Sequence, residues 1–285
     1  MAFAYQLEET QSGLFFRQAE NFADDVFMRA KFENGLPCGE WTDVTWREAA
    51  REAHCLGAGL IAMGIQKEDR VGIFSNNRPR WIIADQAIQG AGGIGVPIYP
   101  TSTDQRLSFI LNDCGAKALV AGDAALTEQA LRILPEVPSL SFIVSLSPVG
   151  GPEHHQVIDY DALVKKGADS ASLLAAFTER RKKLSAKDTA AIIYTSGTTG
   201  NPKGVVLSQA NFKAQTEILA STPLPTKLLE REVRLESLCF LPLCHVLGRT
   251  GDYHLQMALG TTINFSESMK TIQKDLLDVR PNILF

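Results

Sequence analysis

Short apolar, β-branched runs alternate with helix-like segments along this chain, and this alternation constrains its fold more than any other feature. The predicted strands are residues 70–74, 92–99, 116–121, 140–144, 189–194, 237–241 and 260–265. Helices are predicted at 46–63, 80–91, 104–113, 123–134, 209–221 and from Ser266 to 279. This spacing predicts an α/β fold in which mostly parallel sheets carry helices on both faces. Ligands of such sheets bind at the carboxyl ends of the strands.

Local signals mark several helix ends. Thr45 and Glu48 have the spacing of a capping box, and Gly64 and Gly115 stand where helices should stop. The alternation of strands and helices is weaker in residues 147–187, which predicts a subdomain boundary there. Residues 223–236 are expected to form a mobile connection.

Composition excludes several classes of protein. The chain has 285 residues, 45% of them hydrophobic, enough for one large domain or two ordinary ones. A net charge of -4 argues against a nucleic-acid partner. No apolar run approaches the roughly 20 residues of a spanning helix, and Glu8 and Glu9 are untypical of a signal peptide. We therefore expect a cytoplasmic protein.

Two clusters of side chains could bind charged groups or a metal ion. The basic run at residues 180–183 is expected to be solvated, and its alternative is peripheral contact with acidic lipid headgroups at a membrane. His154 and His155 are adjacent, so their side chains should diverge, and we expect no metal site. The five cysteines form no Cys-x-x-Cys pair and should be reduced, with Cys55, Cys114 and Cys239 in the core.

The strongest chemical signal is residues 194–204, YTSGTTGNPKG, directly after a predicted strand. After Tyr194, the run contains four serine or threonine hydroxyls, three glycines and one lysine ammonium: Thr195, Ser196, Thr198, Thr199, Gly197, Gly200, Gly204 and Lys203. Glycines let a ligand approach the backbone, and amides, hydroxyls and a cation together hold phosphate oxygens. The run predicts a phosphate-binding loop rather than a simple polar turn.

A Walker A loop is the nearest alternative. That motif needs lysine directly after glycine and then serine or threonine. Here Pro202 precedes Lys203 and Gly204 follows it, which disfavours a P-loop kinase or ATPase.

His245 follows the predicted strand at 237–241, which places it at the same edge of the sheet. Taken alone, such a histidine is more often structural than catalytic. Its position beside a phosphate loop favours a substrate contact.

The loop resembles the phosphate-binding motif of the adenylate-forming superfamily. Residues 70–81, 96–102, 110–119 and 240–245 resemble segments of long-chain fatty acid CoA ligases in matching order. Residues 265–281 are similar to a segment that separates this branch from peptide-synthetase domains. The resemblance covers nearly the whole chain from Trp46.

This resemblance implies a two-step reaction of fatty acid, ATP and coenzyme A through an acyl-adenylate. It implies that the β and γ phosphates are wrapped by Thr195, Ser196, Gly197, Thr198, Thr199 and Gly200. Lys203 would add charge at the edge, and Mg²⁺ would bridge the phosphate oxygens. His245 would line the junction of the acyl and adenylate sites, as the one catalytic candidate.

The chain departs from the family pattern in places. Gly248 stands where many long-chain members have an acidic residue. Gln209 stands where histidine is common, so the outer contacts of the loop could differ from those of the family. Later family elements, a Tyr-Gly-x-Thr-Glu segment, a ribose-binding aspartate and a small domain with a catalytic lysine, do not occur. Residues 1–285 are therefore expected to be an incomplete large AMP-binding domain, inactive alone.

Other functions remain open at this point. The chain could be a non-catalytic nucleotide-binding or interaction module, or a ligase for a medium-chain or aryl acid, because a few methylenes change binding only modestly. Formation of AMP rather than ADP would exclude a P-loop enzyme.

Overall fold

The structure, a computed structural model, describes residues 9–33, 35–148, 154–195, 201–221 and 234–285. Its strands are β1 Val26–Glu33, β2 Leu36–Thr45, β3 Arg70–Phe74, β4 Ile94–Ile98, β5 Ala118–Ala121, β6 Phe142–Ser145, β7 Val157–Asp159, β8 Thr189–Thr195, β9 Lys203–Ser208, β10 Glu236–Cys239 and β11 Thr262–Phe265.

Its α-helices are α1 Gln11–Asn21, α2 Trp46–Ala62, α3 Pro79–Gly90, α4 Asp104–Cys114, α5 Ala124–Ile133, α6 Tyr160–Ala168, α7 Ala171–Lys182, α8 Gln209–Ala220, α9 Gln256–Leu259 and α10 Ile272–Val279. A 3-10 helix covers Leu134–Glu136, and a π-helix, Gly248–Leu255, leads into α9.

A seven-stranded sheet in the order β7-β6-β5-β3-β4-β8-β9 dominates the described residues. Its neighbouring strands are parallel except β8 and β9, which are antiparallel. The predicted α/β class, with mostly parallel sheets and surrounding helices, is confirmed.

Helices cover both faces of this sheet, as alternate side chains of its strands show. Val71 and Ile73 of β3 join a large core cluster with residues of α2 and α3. Phe74, which points the opposite way, packs in a second cluster with residues of α4 and α5. Burial on both faces explains why these strands are continuous apolar runs without polar alternation.

A second, four-stranded sheet has the order β10-β11-β1-β2. Its strands β1 and β2 form an antiparallel hairpin that the sequence did not predict, and α1 before them was also missed. Phe27 of β1 stacks on Trp46 of α2 with ring centroids 3.7 Å apart. The same apolar cluster contains side chains from both sheets, so the core is continuous between them.

Several predicted helix signals are confirmed. Thr45 and Glu48 form a capping box at the start of α2, and Gly64 follows that helix with φ +88°. Gly115 ends α4 in the left-handed conformation with φ +60°. Only glycine adopts such angles without strain.

Among four further expectations, those for Ser266 and for His154 and His155 are wrong. Ser266 does not cap a helix, because α10 begins at Ile272 and the Ser266 hydroxyl donates to Asp275 instead. The 147–187 stretch contains β7, α6 and α7, although the predicted subdomain boundary itself stays a prediction. The predicted connection at 223–236 lies mostly outside the described residues. His154 and His155 do not diverge, since their rings stack with centroids 4.8 Å apart.

The basic run is only partly solvated. Arg180 donates to the carbonyl oxygen of Ile65 at 2.7 Å, and Arg181 lies over the ring of Phe16 at 4.4 Å. Burial lowers the pKa of Arg181. Two of the four basic side chains, which were expected to be solvated, therefore contact neighbouring parts of the protein. Within the described residues, no helix combines the length and apolarity needed to cross a bilayer.

Replacing Thr45 by alanine should lower the free energy of unfolding by about 1 kcal/mol. The variant loses the hydroxyl that accepts a hydrogen bond from the Glu48 backbone N–H at 3.2 Å. Urea denaturation measures the loss, with Ser139→Ala, an exposed turn residue, as the control. Equal midpoints for the two variants would mean that this capping box does not stabilise α2.

Candidate functional site

A cavity of about 660 Å³ lies at the carboxyl edge of the large sheet. The chain segments after β4 and β10, the last residues of β8 and the strand β9 form its walls. Its lining residues are Tyr99, Thr101, Ser102, Thr103, Arg106, Ile193, Tyr194, Thr195, Val205, Leu207, Cys244, His245 and Val246. The predicted candidates Thr195 and His245 therefore face one cavity.

The predicted phosphate loop is the connection of a β-hairpin. Strands β8 and β9 pair antiparallel, with Thr195 opposite Lys203 and Tyr194 opposite Gly204. Thr195 and the exposed Lys203 thus stand side by side where the two strands separate. Ser196, Gly197, Thr198, Thr199 and Gly200 lie outside the described residues.

Gly204 is required by the hairpin for a steric reason. A Cβ atom at this position would lie 2.8 Å from Cγ2 of Ile192 and 3.0 Å from the ring of Tyr194. Real Cβ atoms do not approach other atoms so closely, and a larger residue would displace the ring or the strand.

Tyr194 anchors the hairpin to the helix beside it. Its hydroxyl donates a hydrogen bond of 2.5 Å to Asp113 near the end of α4. Burial and this bond both raise the pKa of Tyr194, which stays a neutral donor. The sequence placed Tyr194 in a strand and gave no signal for this contact, because the two residues are 81 positions apart.

His245 also lines the cavity, just before the helical segment that leads into the π-helix. The predicted sheet was wrong, because β10, the strand before His245, belongs to the four-stranded sheet and not to the sheet of the hairpin. Its Nδ1 accepts a hydrogen bond from the backbone N–H of Leu247 at 3.2 Å. This contact orients the ring through one nitrogen and assigns the remaining ring nitrogen, Nε2, the proton of the neutral form. The side chain is exposed, as a substrate contact requires.

The segment after β4 contributes groups that the sequence analysis missed. Thr101, Ser102 and Thr103 bring hydroxyls to the cavity, and Arg106 in the first turn of α4 brings a guanidinium. The usable signal was their position: hydroxyls and a cation follow a buried strand, β4, that lies next to β8 in the sheet. With Lys203, Arg106 gives the site a second cation for phosphate or carboxylate oxygens.

A smaller cavity of about 310 Å³ adjoins the first and shares Tyr99, Thr101 and Cys244 with it. Burial raises the pKa of Cys244 to about 12, so its thiol is protonated at neutral pH. The side chain therefore separates the two cavities as a small, unreactive group.

Gln209, which departs from the family pattern, forms hydrogen bonds inside the protein. Its side chain is buried, accepts from the backbone N–H of Gln11 at 2.9 Å and donates to Gln89 at 3.0 Å. Among the described residues, no group of three or more His, Cys, Asp or Glu side chains is placed to hold a metal ion.

Asp252 of the π-helix supports the segment that carries His245. It is buried and accepts a hydrogen bond from the backbone N–H of Leu241 at 3.3 Å. Burial raises the pKa of this carboxyl to about 7, although backbone N–H groups of Leu241 and Phe240 oppose the rise.

Asp252→Asn should therefore gain stability relative to the native chain as the pH rises from 5 to 8. The folded carboxyl holds its proton up to about pH 7, whereas the unfolded one loses it near pH 3.8, so its contribution falls as pH increases between these values. The expected relative gain is about 2 kcal/mol. Urea unfolding of both proteins at the two pH values measures it. A stability difference that is equal at both pH values would contradict the assigned titration.

Comparisons with known proteins identify the family of this chain. The family model described as "AMP-binding enzyme" matches residues 15–285. Long-chain-fatty-acid–CoA ligase FadD15 of Mycobacterium tuberculosis is 36% identical over 251 residues, which cover 86% of this chain and 39% of that protein. The peroxisomal long chain acyl-CoA synthetase 7 of Arabidopsis thaliana is 28% identical over 280 residues, covering 94% of this chain and 37% of that protein. The chain thus spans about two fifths of these relatives' length.

Solved structures share the fold at lower identity. A putative long-chain-fatty-acid CoA ligase from Rhodopseudomonas palustris superposes with a TM-score of 0.75 at 21% identity, over 96% of this chain and 62% of that one. The anthranilate CoA ligase AuaEII, solved with anthranoyl-AMP, gives 0.72 at 18% identity, over 96% and 49%. These matches and the family model cover both sheets and the hairpin, and the chain belongs to the AMP-binding enzyme family.

Proposed function

We propose that this chain forms the phosphate-binding and acyl-binding walls of a long-chain fatty acid CoA ligase of the AMP-forming type. The observation that carries the proposal is one cavity lined both by Thr195 of the hairpin and by His245. Lys203 stands beside Thr195 in the hairpin. The 36% identity to a protein named as a long-chain-fatty-acid–CoA ligase supports the substrate class.

The proposed reaction needs donors where negative charge develops. A carboxylate oxygen of the fatty acid attacks the α-phosphorus of ATP, the bond to the bridging oxygen breaks, and pyrophosphate leaves. The thiolate of coenzyme A then attacks the acyl carbon and expels AMP. The Thr195 hydroxyl and the Lys203 ammonium are placed to stabilise the polyphosphate oxygens in the first step, as donors fixed before the reaction do.

The cavity also offers apolar surface for an acyl group. Ile193, Val205 and Leu207 of the hairpin and Val246 next to His245 contribute this surface. A volume of about 660 Å³ is ample for a ligand, since small-molecule sites occupy roughly 300–1,000 Å³. We assign His245 to the junction between the carboxyl group and the adenylate.

Magnesium would enter with ATP as part of the substrate. Mg²⁺ keeps several waters and is bound mainly through phosphates and few protein oxygens. The donor set fits this mode, because hydroxyls of Thr195 and Thr101 line the cavity while the described residues offer no carboxylate cluster.

Binding of acyl-sulfamoyl adenosines to the purified chain tests the proposal. These compounds mimic the acyl-adenylate without reacting. Calorimetry should show the palmitoyl compound binding at least about tenfold more tightly than the octanoyl or benzoyl compound, because more apolar surface is buried. In a separate assay with ATP, fatty acid and coenzyme A, the products of any turnover should be AMP and pyrophosphate, without ADP.

Each alternative has its own outcome. Tighter binding of the benzoyl or octanoyl compound would reassign the substrate to an aryl or medium-chain acid. Binding of ATP without any of the three mimics would favour a nucleotide-binding module, and ADP as a product would favour a P-loop enzyme.

A further inference from the structure

A buried ion pair lies behind the cavity, one helical turn after His245. Arg249 in the π-helix donates to Asp85 of α3 at 2.6 Å, and both side chains are fully buried. The backbone N–H of Arg249 donates to the carbonyl oxygen of His245 at 2.9 Å. The pair therefore ties the His245 wall of the cavity to α3.

Hydrogen bonds continue from this pair towards the hairpin. Asp85 accepts from the Gln89 amide at 2.7 Å, and Gln89 accepts from Gln209 at 3.0 Å. Gln209 is the first residue of α8, immediately after β9, whose other end begins with Lys203. The relay Arg249–Asp85–Gln89–Gln209 thus joins the two walls of the cavity.

The relay is enclosed on every side. Gln89 and Gln209 are each 1% exposed. A Cβ atom on Gly95 of β4 would lie 3.0 Å from the Asp85 carboxylate, so the glycine gives the carboxylate its space. Hydrogen bonds in such surroundings are strong and resist rearrangement one at a time.

We propose that Gln89 and Gln209 are positioning residues that couple the hairpin wall to the His245 wall, so that nucleotide and acyl binding are energetically linked. The inference rests on the proposed function, which supplies the two ligands. A ligand that binds at Thr195 and Lys203 would act on β9 and therefore on the start of α8, which follows it. The relay would transmit this effect through α3 to the segment before Arg249. Linkage requires each ligand to raise the affinity for the other by the same factor.

Calorimetry tests the coupling. It measures the affinity of the chain for palmitate with and without a non-hydrolysable ATP analogue and Mg²⁺. The native chain should bind palmitate about fivefold or more tightly with the analogue present. Gln89→Met removes the middle of the relay and should bring this ratio close to one. Gln209→Met breaks its other end and replaces the first variant if that one does not fold.

Gln18→Met is the matched control. Gln18 is also buried, and its amide donates to the carbonyl oxygen of Ala258 in α9 at 2.8 Å. It contacts the helix after the π-helix but is not a member of the relay. Its substitution should lower stability while leaving the affinity ratio at the native value.

A native ratio in Gln89→Met and Gln209→Met, with stability lowered as in Gln18→Met, would show a structural role only and overturn the inference. A native chain that binds both ligands without coupling would also overturn it, while the proposed function stands. Absence of binding of either ligand to the native chain would instead remove the proposed function and the inference with it.

Discussion

Replacing Asp85 by alanine should lower the free energy of unfolding of this chain by about 3–5 kcal/mol. The substitution removes the carboxylate that pairs with Arg249, whose guanidinium is completely buried. Two nitrogens of that guanidinium, Nε and Nη1, already have no hydrogen-bond partner within the described residues. An unpaired charge in the interior cannot be solvated, so the loss exceeds that of an ordinary buried contact. Urea denaturation followed by circular dichroism measures it.

An exposed ion pair provides the control. Asp43→Ala breaks the 2.7 Å contact with Arg29 at the surface, and should change stability by less than about 1 kcal/mol. The double variant Asp85→Leu, Arg249→Met should recover much of the loss, because it removes both charges and retains apolar volume. A single Asp85→Ala variant as stable as Asp43→Ala would show that the buried pair contributes little.

Replacing Lys203 by alanine should weaken ATP binding at least about tenfold without unfolding the chain. Lys203 is exposed at the start of β9 and pairs with Thr195 across the hairpin, where its ammonium can approach the polyphosphate. Among the described residues, no carboxylate forms an ion pair with Lys203, so stability should be nearly unchanged. Calorimetric titration with MgATP gives the dissociation constants.

Lys213→Ala controls for the general effect of removing a positive charge. Lys213 lies on α8 and forms an i,i+4 ion pair with Glu217 at 3.8 Å, away from the hairpin mouth. Its substitution should leave the ATP affinity within about twofold of the native value, because screening weakens charges beyond about 10 Å. Equal affinities of the two variants would contradict the role of Lys203.

The large sheet could be predicted because its strands are buried on both faces. Such strands appear in the sequence as short apolar runs, and residues 70–74 form β3 with the predicted bounds. Helix ends were predictable where a local motif marks them, as at Thr45 and Gly115. These signals act over three or four residues and need no knowledge of tertiary contacts.

The second sheet was less predictable. Strand β2 is mostly exposed or half-buried and contains Pro37 and Gly39, so it lacks an apolar pattern. Its position depends on pairing with β1, and β1 in turn pairs with β11, more than 200 residues later. The same reason applies to Arg180, whose partner Ile65 lies 115 positions away.

The loop at residues 194–204 was predicted from its composition, but strand β9, which pairs with β8 there, and the surroundings of the loop were not. Thr195 and His245 do line one cavity, but the reason given from the sequence was wrong, because the strands before them, β8 and β10, belong to different sheets. Arg106 was overlooked because its role follows from the strand order, in which β4 lies beside β8. The burial of Gln209 was not predicted, because its partners, Gln11 and Gln89, come from distant segments.

The position of the nucleotide in a crystal structure of this chain with MgATP tests the central claim most directly. We expect the polyphosphate in the cavity of about 660 Å³, with phosphate oxygens within hydrogen-bond distance of Thr195 and Lys203 and the α-phosphate directed towards His245. Clear density for ATP at another place, or a hairpin whose connection turns away from the cavity with the nucleotide bound, would contradict it.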